Sequence, residues 1–305
     1  MELKKISSLE EIDEEKVAIT IGNFDGVHIG HQYVINKIKE NKEANSNLVV
    51  VTFNPHPTEV LSPRENYLIN DNSEKFRMLE ALGVDYLFEI EFTRDLSTLS
   101  GEEFLERYFS TENMHKSFYL GYDFSFGANK KDGVEIIEKF CLQNGYDFLV
   151  LERKEVSELS ISSSQIRECV LTGKVEEANR LLGRDFAMSG VIVKGEGRGK
   201  QIGFPTANLK YKMTNLVPSK GVYETSTLYQ GGVYKSITNI GVKPTFEDEA
   251  ELTVETFILD FDKDIYGESF NLVFHKKQRD EKKFSSVNDL IIQIGKDVDI
   301  RRKNA

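Results

Sequence analysis

Gly22-Asn23-Phe24-Asp25-Gly26-Val27-His28-Ile29-Gly30-His31 follows the apolar run Val17-Ala18-Ile19-Thr20-Ile21. It precedes a helical pattern in which Val34, Ile35 and Ile38 repeat at helical spacing. A buried strand that hands over to a helix through a glycine-bearing turn is the opening unit of an open α/β sheet, and ligands bind at that carboxyl edge. Free backbone N–H groups and the positive end of the helix dipole favour an anion there. His28 and His31 are three residues apart, so both imidazoles can point at one group. Gly30 between them lacks a Cβ and lets a ligand approach the backbone. One histidine here would read as an ordinary helix cap; a His-x-Gly-His directly after a glycine-rich strand exit reads as a phosphate cradle.

The alternation continues outward from this stretch. Residues 48–53, 86–90, 117–120 and 147–152 read as strands, and 74–82, 101–108 and 133–144 as helices. That order predicts an α/β doubly wound, Rossmann-like parallel sheet with helices on both faces. Two short helices over 162–172 and 175–182 follow, with Gly183 as a C-cap. The texture then changes to short strands over 187–193, 221–228, 234–240, 253–261 and 269–274, which predicts a small antiparallel β-barrel. Phe284, Val287, Leu290, Ile291, Ile294 and Val298 predict a C-terminal amphipathic helix packed on it. The expected domains are 1–183 and 184–305, and a length of 305 residues allows each its own core.

Composition narrows the function classes. The chain is 39% hydrophobic and 29% charged, as ordinary globular proteins are. Leu48-Val49-Val50-Val51 is typical of its longest apolar runs and is far too short to span a bilayer. Met1-Glu2-Leu3-Lys4-Lys5 opens no secretory signal, and Cys141 and Cys169 form neither a metal spacing nor a disulfide framework, so a cytoplasmic location is expected. The net charge of −11 is uneven: from Arg184 onward 19 Lys and Arg face 17 Asp and Glu, a balance of +2, which leaves −13 on the preceding residues. An acidic surface of that size argues against a nucleic-acid groove.

Three further segments sit at strand exits. Phe53-Asn54-Pro55-His56-Pro57 alone reads equally as a proline-stiffened turn. Gly121-Tyr122-Asp123-Phe124-Ser125-Phe126-Gly127 alone reads as a glycine-bracketed loop with core aromatics. In Ile161-Ser162-Ser163-Ser164-Gln165-Ile166-Arg167 the serines suit N-caps, or phosphate oxygens with Arg167 as counter-charge. Together with the first stretch they make a site.

A second cradle opens the last third, in Gly195-Glu196-Gly197-Arg198-Gly199-Lys200 and Gly203-Phe204-Pro205-Thr206-Ala207-Asn208. Thr206 and Asn208 are two apart and face one side of an extended chain. A hydroxyl and an amide oxygen together suit magnesium that also touches nucleotide phosphates. Glu255, within the β-branched and aromatic run Val254 to Leu259, reads either as an edge glutamate or as a general base that takes a proton from an alcohol.

The histidine pair resembles the signature of the adenylyl- and cytidylyltransferase superfamily. Taken with the other segments, in order and separation, the chain resembles bacterial bifunctional riboflavin kinase/FAD synthetases over roughly residues 18–294. The resemblance implies that riboflavin is phosphorylated by ATP in the second domain and that FMN is then joined to AMP in the first, giving FAD and pyrophosphate. In the transferase it implies ATP and phosphate contacts at Gly22, Asn23, Phe24, Gly30, Ser162, Ser163, Ser164 and Arg167, with His28 and His31 catalytic. It implies FMN contacts at Asn54, His56, Pro57, Asp123 and Phe126. In the kinase it implies ATP contacts at Gly195, Gly197, Gly199, Lys200, Gly203, Pro205, Thr206 and Asn208, with Mg2+ on the last two and Glu255 as base. Arg279 and Glu281 match the flavin-side segment, and Asn239-Ile240-Gly241 with Pro244-Thr245-Phe246 matches another. Ser164 stands where the family has threonine, and Val242-Lys243 where it has Thr-Arg. The residues also admit a chain active in one module only, a nucleotidyltransferase for another phosphate ester such as a pantetheine or glycerol phosphate, and a non-catalytic flavin or nucleotide sensor. Riboflavin, FMN and ATP are the expected partners, with neither nucleic acid nor membrane.

Overall fold

A computed structural model of the chain describes residues 2–121, 133–151, 155–156, 159–195, 197–243 and 251–304. The chain divides into two compact units, Met1–Arg64 with Asn72–Ser162, and Glu65–Asp71 with Ser163–Ala305.

The first unit runs β1 (Lys4–Ile6), β2 (Lys16–Ile21), α1 (Ile29–Asn41), β3 (Asn47–Asn54), α2 (Pro57–Leu61), α3 (Asn72–Ala81), β4 (Tyr86–Glu91), α4 (Gly101–Phe109), β5 (His115–Gly121), α5 (Val134–Asn144) and β6 (Asp147–Leu151). It closes with a hairpin of β7 (Glu155–Val156) and β8 (Leu159–Ser160). Six strands form one parallel sheet in the order β1-β4-β3-β2-β5-β6. Side chains alternate across a strand, so Val49 and Val51 enter one core with Phe104, Phe109 and Ile137, while Leu48 and Val50 enter the other with Ile35, Ile38 and Leu79. Both faces are therefore covered, as the doubly wound reading expects. The chain leaves β2 toward β3 on one side and reaches β5 and β6 on the other. The reversal puts the topological switch point, where ligands bind, at the carboxyl end of β2.

Lys116 on β5 is fully buried, and its ammonium donates to Thr111 O (2.8 Å), Met114 O (3.1 Å) and the Tyr146 hydroxyl (3.0 Å). Burial pushes its pKa down to about 8 from 10.5. Between these values the unfolded chain binds the extra proton, so this lysine's cost to stability fades as pH rises. Replacing it by methionine removes that dependence. In urea titrations, the stability of the parent relative to Lys116→Met is expected to rise by about 2–3 kcal/mol from pH 7 to pH 10. A difference constant with pH would refute this account of the site.

The second unit runs α6 (Ser163–Leu171), α7 (Val175–Leu182), β9 (Phe186–Val193), α8 (Arg198–Gln201), β10 (Ala207–Lys210), β11 (Gly221–Tyr229), β12 (Gly232–Lys243), β13 (Glu251–Ile258), β14 (Ser269–Arg279) and α9 (Val287–Lys303). Its six strands close into an antiparallel barrel in the order β10-β13-β12-β11-β14-β9. The two helices that the sequence reading assigns to the first domain pack in this unit, and α7 ends on left-handed Gly183 (φ 71°). The last helix starts later than the apolar pattern suggests, because Ser286 caps Asp289 N–H, and it runs on to Lys303.

One face of the barrel strands carries mutually bonded buried hydroxyls, with Thr225 to Ser236 at 2.8 Å, Thr225 to Thr238 at 2.9 Å and Thr238 to Thr256 at 2.9 Å. The opposite face offers Val222, Ile237 and Phe257 to Ile294 and Val298 of α9. Buried Arg301 fastens the helix end, donating to Thr225 O (3.1 Å) and Ser226 Oγ (3.2 Å). Ser226 in turn meets His275 Nε2 (2.7 Å), whose Nδ1 meets Asp185 (2.7 Å). The segment Glu65–Asp71 is held here by Asn66 N–H to Met213 O (2.8 Å), Tyr67 N–H to Thr214 O (2.9 Å) and Leu216 N–H to Leu68 O (2.8 Å). Asn66 Oδ1 also accepts from Val217 N–H.

Candidate active sites

At the carboxyl end of β2 the loop from Gly22 to Val27 takes an unusual path. Phe24 (φ 49°) and Val27 (φ 37°) both lie in the left-handed region, which is a genuine outlier for a β-branched residue. Such strain persists only where surroundings over-determine it. Here Gly22 N–H donates to Val51 O (3.0 Å), Thr52 Oγ1 to Asn23 O (3.1 Å), Val27 N–H to Phe24 O (3.2 Å) and Gln32 Nε2 to Val27 O (2.9 Å). The result is a stack of three rings: Phe24 lies 4.9 Å from His31, and His31 lies 3.7 Å from His28 at 17°. A Cβ on Gly30 would sit 3.1 Å from the His28 ring, so glycine is what lets the two imidazoles close.

His28 is the N-cap of α1, and its Nδ1 accepts from His31 N–H (3.4 Å). A neutral His28 therefore carries its proton on Nε2. Burial, then the neighbouring His28 and Lys75, hold His31 well below the ordinary histidine range, so its ring is neutral at pH 7. Among the described residues, buried His31 Nδ1 has no hydrogen-bond partner. A neutral His31 beside an oriented His28 at a helix N-terminus can donate to phosphate oxygens.

The other sequence-designated residues of this site are distributed as follows. Asn54 ends β3, its Oδ1 accepting from Asn72 (2.7 Å), and His56 caps α2, whose first residue is Pro57. Asp123 and Phe126 lie outside the described residues. Ser162 precedes α6, and Ser163 and Ser164 open it. Arg167 on α6 donates to Tyr67 O (2.8 Å) and stacks 3.9 Å over the Tyr67 ring.

In the second unit, Asn208 on β10 is the register partner of Glu255 on β13, which is also the partner of Asn239 on β12. Directly opposed residues share one face of a sheet, so the three polar side chains line up across adjacent strands. Thr206 donates from Oγ1 to Glu255 Oε2 (3.5 Å). The site is closed by glycines: a Cβ on Gly195 would collide with the Asn208 amide, and one on Gly199 would lie 3.3 Å from Thr206 Oγ1. Gly197 (φ 72°) caps α8, which carries Lys200, and Gly203 (φ 85°) and Pro205 lead into β10. Glu281 approaches Gly241, its Oε1 being 2.7 Å from where a Cβ would stand. Arg279 ends β14 and makes a paired contact with Asp297 (3.1 and 2.7 Å). Asn239 and Gly241 are described, whereas Pro244-Thr245-Phe246 and Glu196 lie outside the described residues.

A family model described as FAD synthetase matches residues 10–165, and one described as riboflavin kinase matches residues 182–305. The chain is 34% identical to the bifunctional riboflavin kinase/FMN adenylyltransferase of Listeria monocytogenes, across 96% of this chain and 93% of that protein. It is 34% identical to that of Bacillus subtilis, across 93% and 91%. For Escherichia coli strain K12 the identity is 32%, across 97% and 95%.

The chain belongs to the bifunctional riboflavin kinase/FMN adenylyltransferase family.

As a member of that family it is an enzyme with two activities, a riboflavin kinase and an FMN adenylyltransferase (FAD synthetase), and it uses ATP. Riboflavin, FMN and ATP fit its two domains as small-molecule substrates. A crystal structure from Streptococcus pneumoniae, described as a macrolide-efflux protein, matches all of the chain and all of that structure at 30% identity with a TM-score of 0.87. Among the described residues of this family member no helix is long and apolar enough to cross a membrane.

Three residues around these sites escaped the sequence reading. Lys75 is buried next to the histidine loop, Asp25 is buried within it without having been given a role, and Asp297 is buried against Arg279. For two of them the helical spacing hinted at burial, though not at a partner. Lys75 stands four residues before buried Leu79, and Asp297 lies on the apolar stripe of Ile294 and Val298.

Proposed function

We propose that residues 184–305 phosphorylate the 5′-hydroxyl of riboflavin and that residues 1–183 transfer AMP to the FMN so formed. The observation that carries the kinase half is the alignment of Thr206, Asn208 and Glu255, with Thr206 Oγ1 at 3.5 Å from the Glu255 carboxylate. Glu255 takes the proton of the attacking alcohol, and the Thr206 hydroxyl orients that carboxylate. The glycine turn of Gly195, Gly197 and Gly199 with Lys200 covers the ATP phosphates, aided by Gly203 and Pro205. Arg279 and Glu281 face the flavin.

The donor set suits Mg2+, because Thr206 and Asn208 offer a hydroxyl and an amide oxygen side by side, both hard ligands. Among the described residues no group of three or more His, Cys, Asp or Glu could hold a metal ion, so phosphate oxygens would complete the shell. When bound, the ion would offset charge on the transferring phosphoryl group.

In the transferase a phosphate oxygen of FMN attacks the α-phosphorus of ATP and pyrophosphate leaves. The nucleophile is already an anion, so no base is needed, and the task of the protein is in-line positioning and charge stabilisation. His28, through Nε2–H, and His31 donate to the phosphates, with Gly22, Asn23, Phe24 and Gly30 shaping the cradle. Ser162, Ser163, Ser164 and Arg167 act on the leaving pyrophosphate, and Asn54, His56, Pro57, Asp123 and Phe126 take FMN. The acidic first two-thirds and the short apolar runs support a cytoplasmic enzyme that binds neither nucleic acid nor membrane.

Incubation of the chain with riboflavin, ATP and magnesium, followed by chromatography of the flavins, tests this. FMN is expected to rise first and FAD to follow. Riboflavin that stays unconverted, or FMN that never becomes FAD, removes one half of the assignment.

A further inference from the structure

The loop that presents His28 and His31 is anchored from below by a buried cation. Lys75 lies in the first half of α3 at 4% exposure, and its Nζ reaches both Asn23 O (3.4 Å) and Thr52 Oγ1 (3.4 Å). Thr52 already donates to the same Asn23 carbonyl at 3.1 Å. That acceptor is thus satisfied without the lysine. Burying an ammonium is costly unless it is paired, so a neutral side chain would serve a purely structural purpose better. Among the described residues, the charged groups that act on Lys75 are Asp25 from the loop, Glu89 from β4, Glu59 from α2 and, opposing them, Lys5 from β1. Asp25 is the strongest of these and is itself buried, so the ammonium is tied to the loop by its backbone and by its charge. The turn it grips, between Asn23 and His28, is the one that contains left-handed Phe24 and Val27.

We propose that Lys75 is a positioning residue of adenylyl transfer, its buried ammonium clamping the Asn23 carbonyl and so holding the strained turn that presents the His28–His31 pair. This rests on the assignment of FMN adenylylation to that pair. Lys75 touches no substrate itself. It acts through the loop, and its charge also bears on His31, as the neighbouring His28 does.

Full-length protein is to be assayed for FMN-to-FAD conversion and, in the same preparation, for riboflavin phosphorylation. Lys75→Met is expected to lower kcat for FAD formation about 100-fold, the scale of a misplacement near 1 Å, with KM changed much less. It also moves the acid limb of the rate profile to higher pH, because loss of the cation lets His31 take a proton more readily. Lys75→Arg keeps the charge, so its acid limb stays at the parent position while kcat falls less than in Lys75→Met. The double variant Lys75→Met with Asp25→Asn removes both charges together and is expected to stay impaired, which separates positioning from mere neutralisation of Asp25. The kinase rate stays at the parent level throughout and reports folding.

The inference is overturned if Lys75→Met retains the parent kcat, if the double variant restores it, or if Lys75→Arg shifts the acid limb as far as Lys75→Met does. Should Lys75→Met lose the kinase as well, the arginine variant decides, and an unchanged kcat in it counts against the proposal. A parent chain that makes no FAD from FMN defeats the underlying assignment instead.

Discussion

Glu255→Ala is expected to reduce riboflavin phosphorylation by about 10³-fold or more, at the upper end of what a positioned base contributes, while FMN-to-FAD conversion continues at the parent rate. The size follows from where the carboxylate stands. Glu255 is flanked in register by Asn208 and Asn239, and its Oε2 meets Thr206, so the substitution removes the carboxylate from a row of neutral polar groups. Its neighbours on β13, Val254 and Thr256, are buried on the opposite face of the strand and keep their packing, so the barrel should persist. Glu255→Gln retains shape and one acceptor oxygen but not basicity, and it should be nearly as inactive. A variant that phosphorylates riboflavin at the parent rate would remove Glu255 from the mechanism. One that loses both activities while folded would remove the separation of the two sites.

The converse experiment replaces His28 and His31 together by alanine. FAD formation should fall by about 10⁴-fold, since each lost donor to a charge-bearing phosphate is worth roughly 10²–10³. Riboflavin phosphorylation should be untouched, and FMN should accumulate. Part of the loss in the alanine pair is structural: the rings stack on each other and on Phe24, and His28 is the N-cap of α1. His28→Asn separates the two contributions, because asparagine caps a helix well but cannot place a donor where Nε2 stands. It should keep the thermal stability of the parent and still be slow. Full activity in His28→Asn would reduce that residue to a cap.

Much of the architecture was legible because its signals are local. Val49 to Val51 and Ile19 to Ile21 are β-branched runs buried on both faces, and glycines mark the ends of some helices, as Gly83 and Gly183 do. What escaped notice depends on partners distant in sequence. β1 is three residues long and begins with two lysines, so only its pairing with β4 makes it a strand. β10 follows Pro205 and is four residues long, yet it closes the barrel between β13 and β9.

The candidate sites divide in the same way. Thr206, Asn208, His28 and His31 stand out because their spacing repeats a local geometry. Lys75 looks like any helical lysine until β3 and the β2 exit loop close over it. Arg167, read as a phosphate counter-charge, is seen against Tyr67, a hundred residues earlier in the chain. Asp297 lies on the apolar stripe of α9, but its partner is set by β14, which brings Arg279 to it.

The chain passes from one compact unit to the other three times, after Arg64, Asp71 and Ser162. No single break in the gene therefore separates the two bodies. A message beginning at Ser163 would encode α6 without the tyrosine its arginine rests on, and one ending there would retain a stretch whose hydrogen-bonding companions were never translated. Recombination that shuffles these two bodies as cassettes has to graft the residues from Glu65 to Asp71 onto one and suture Arg64 to Asn72 in the other.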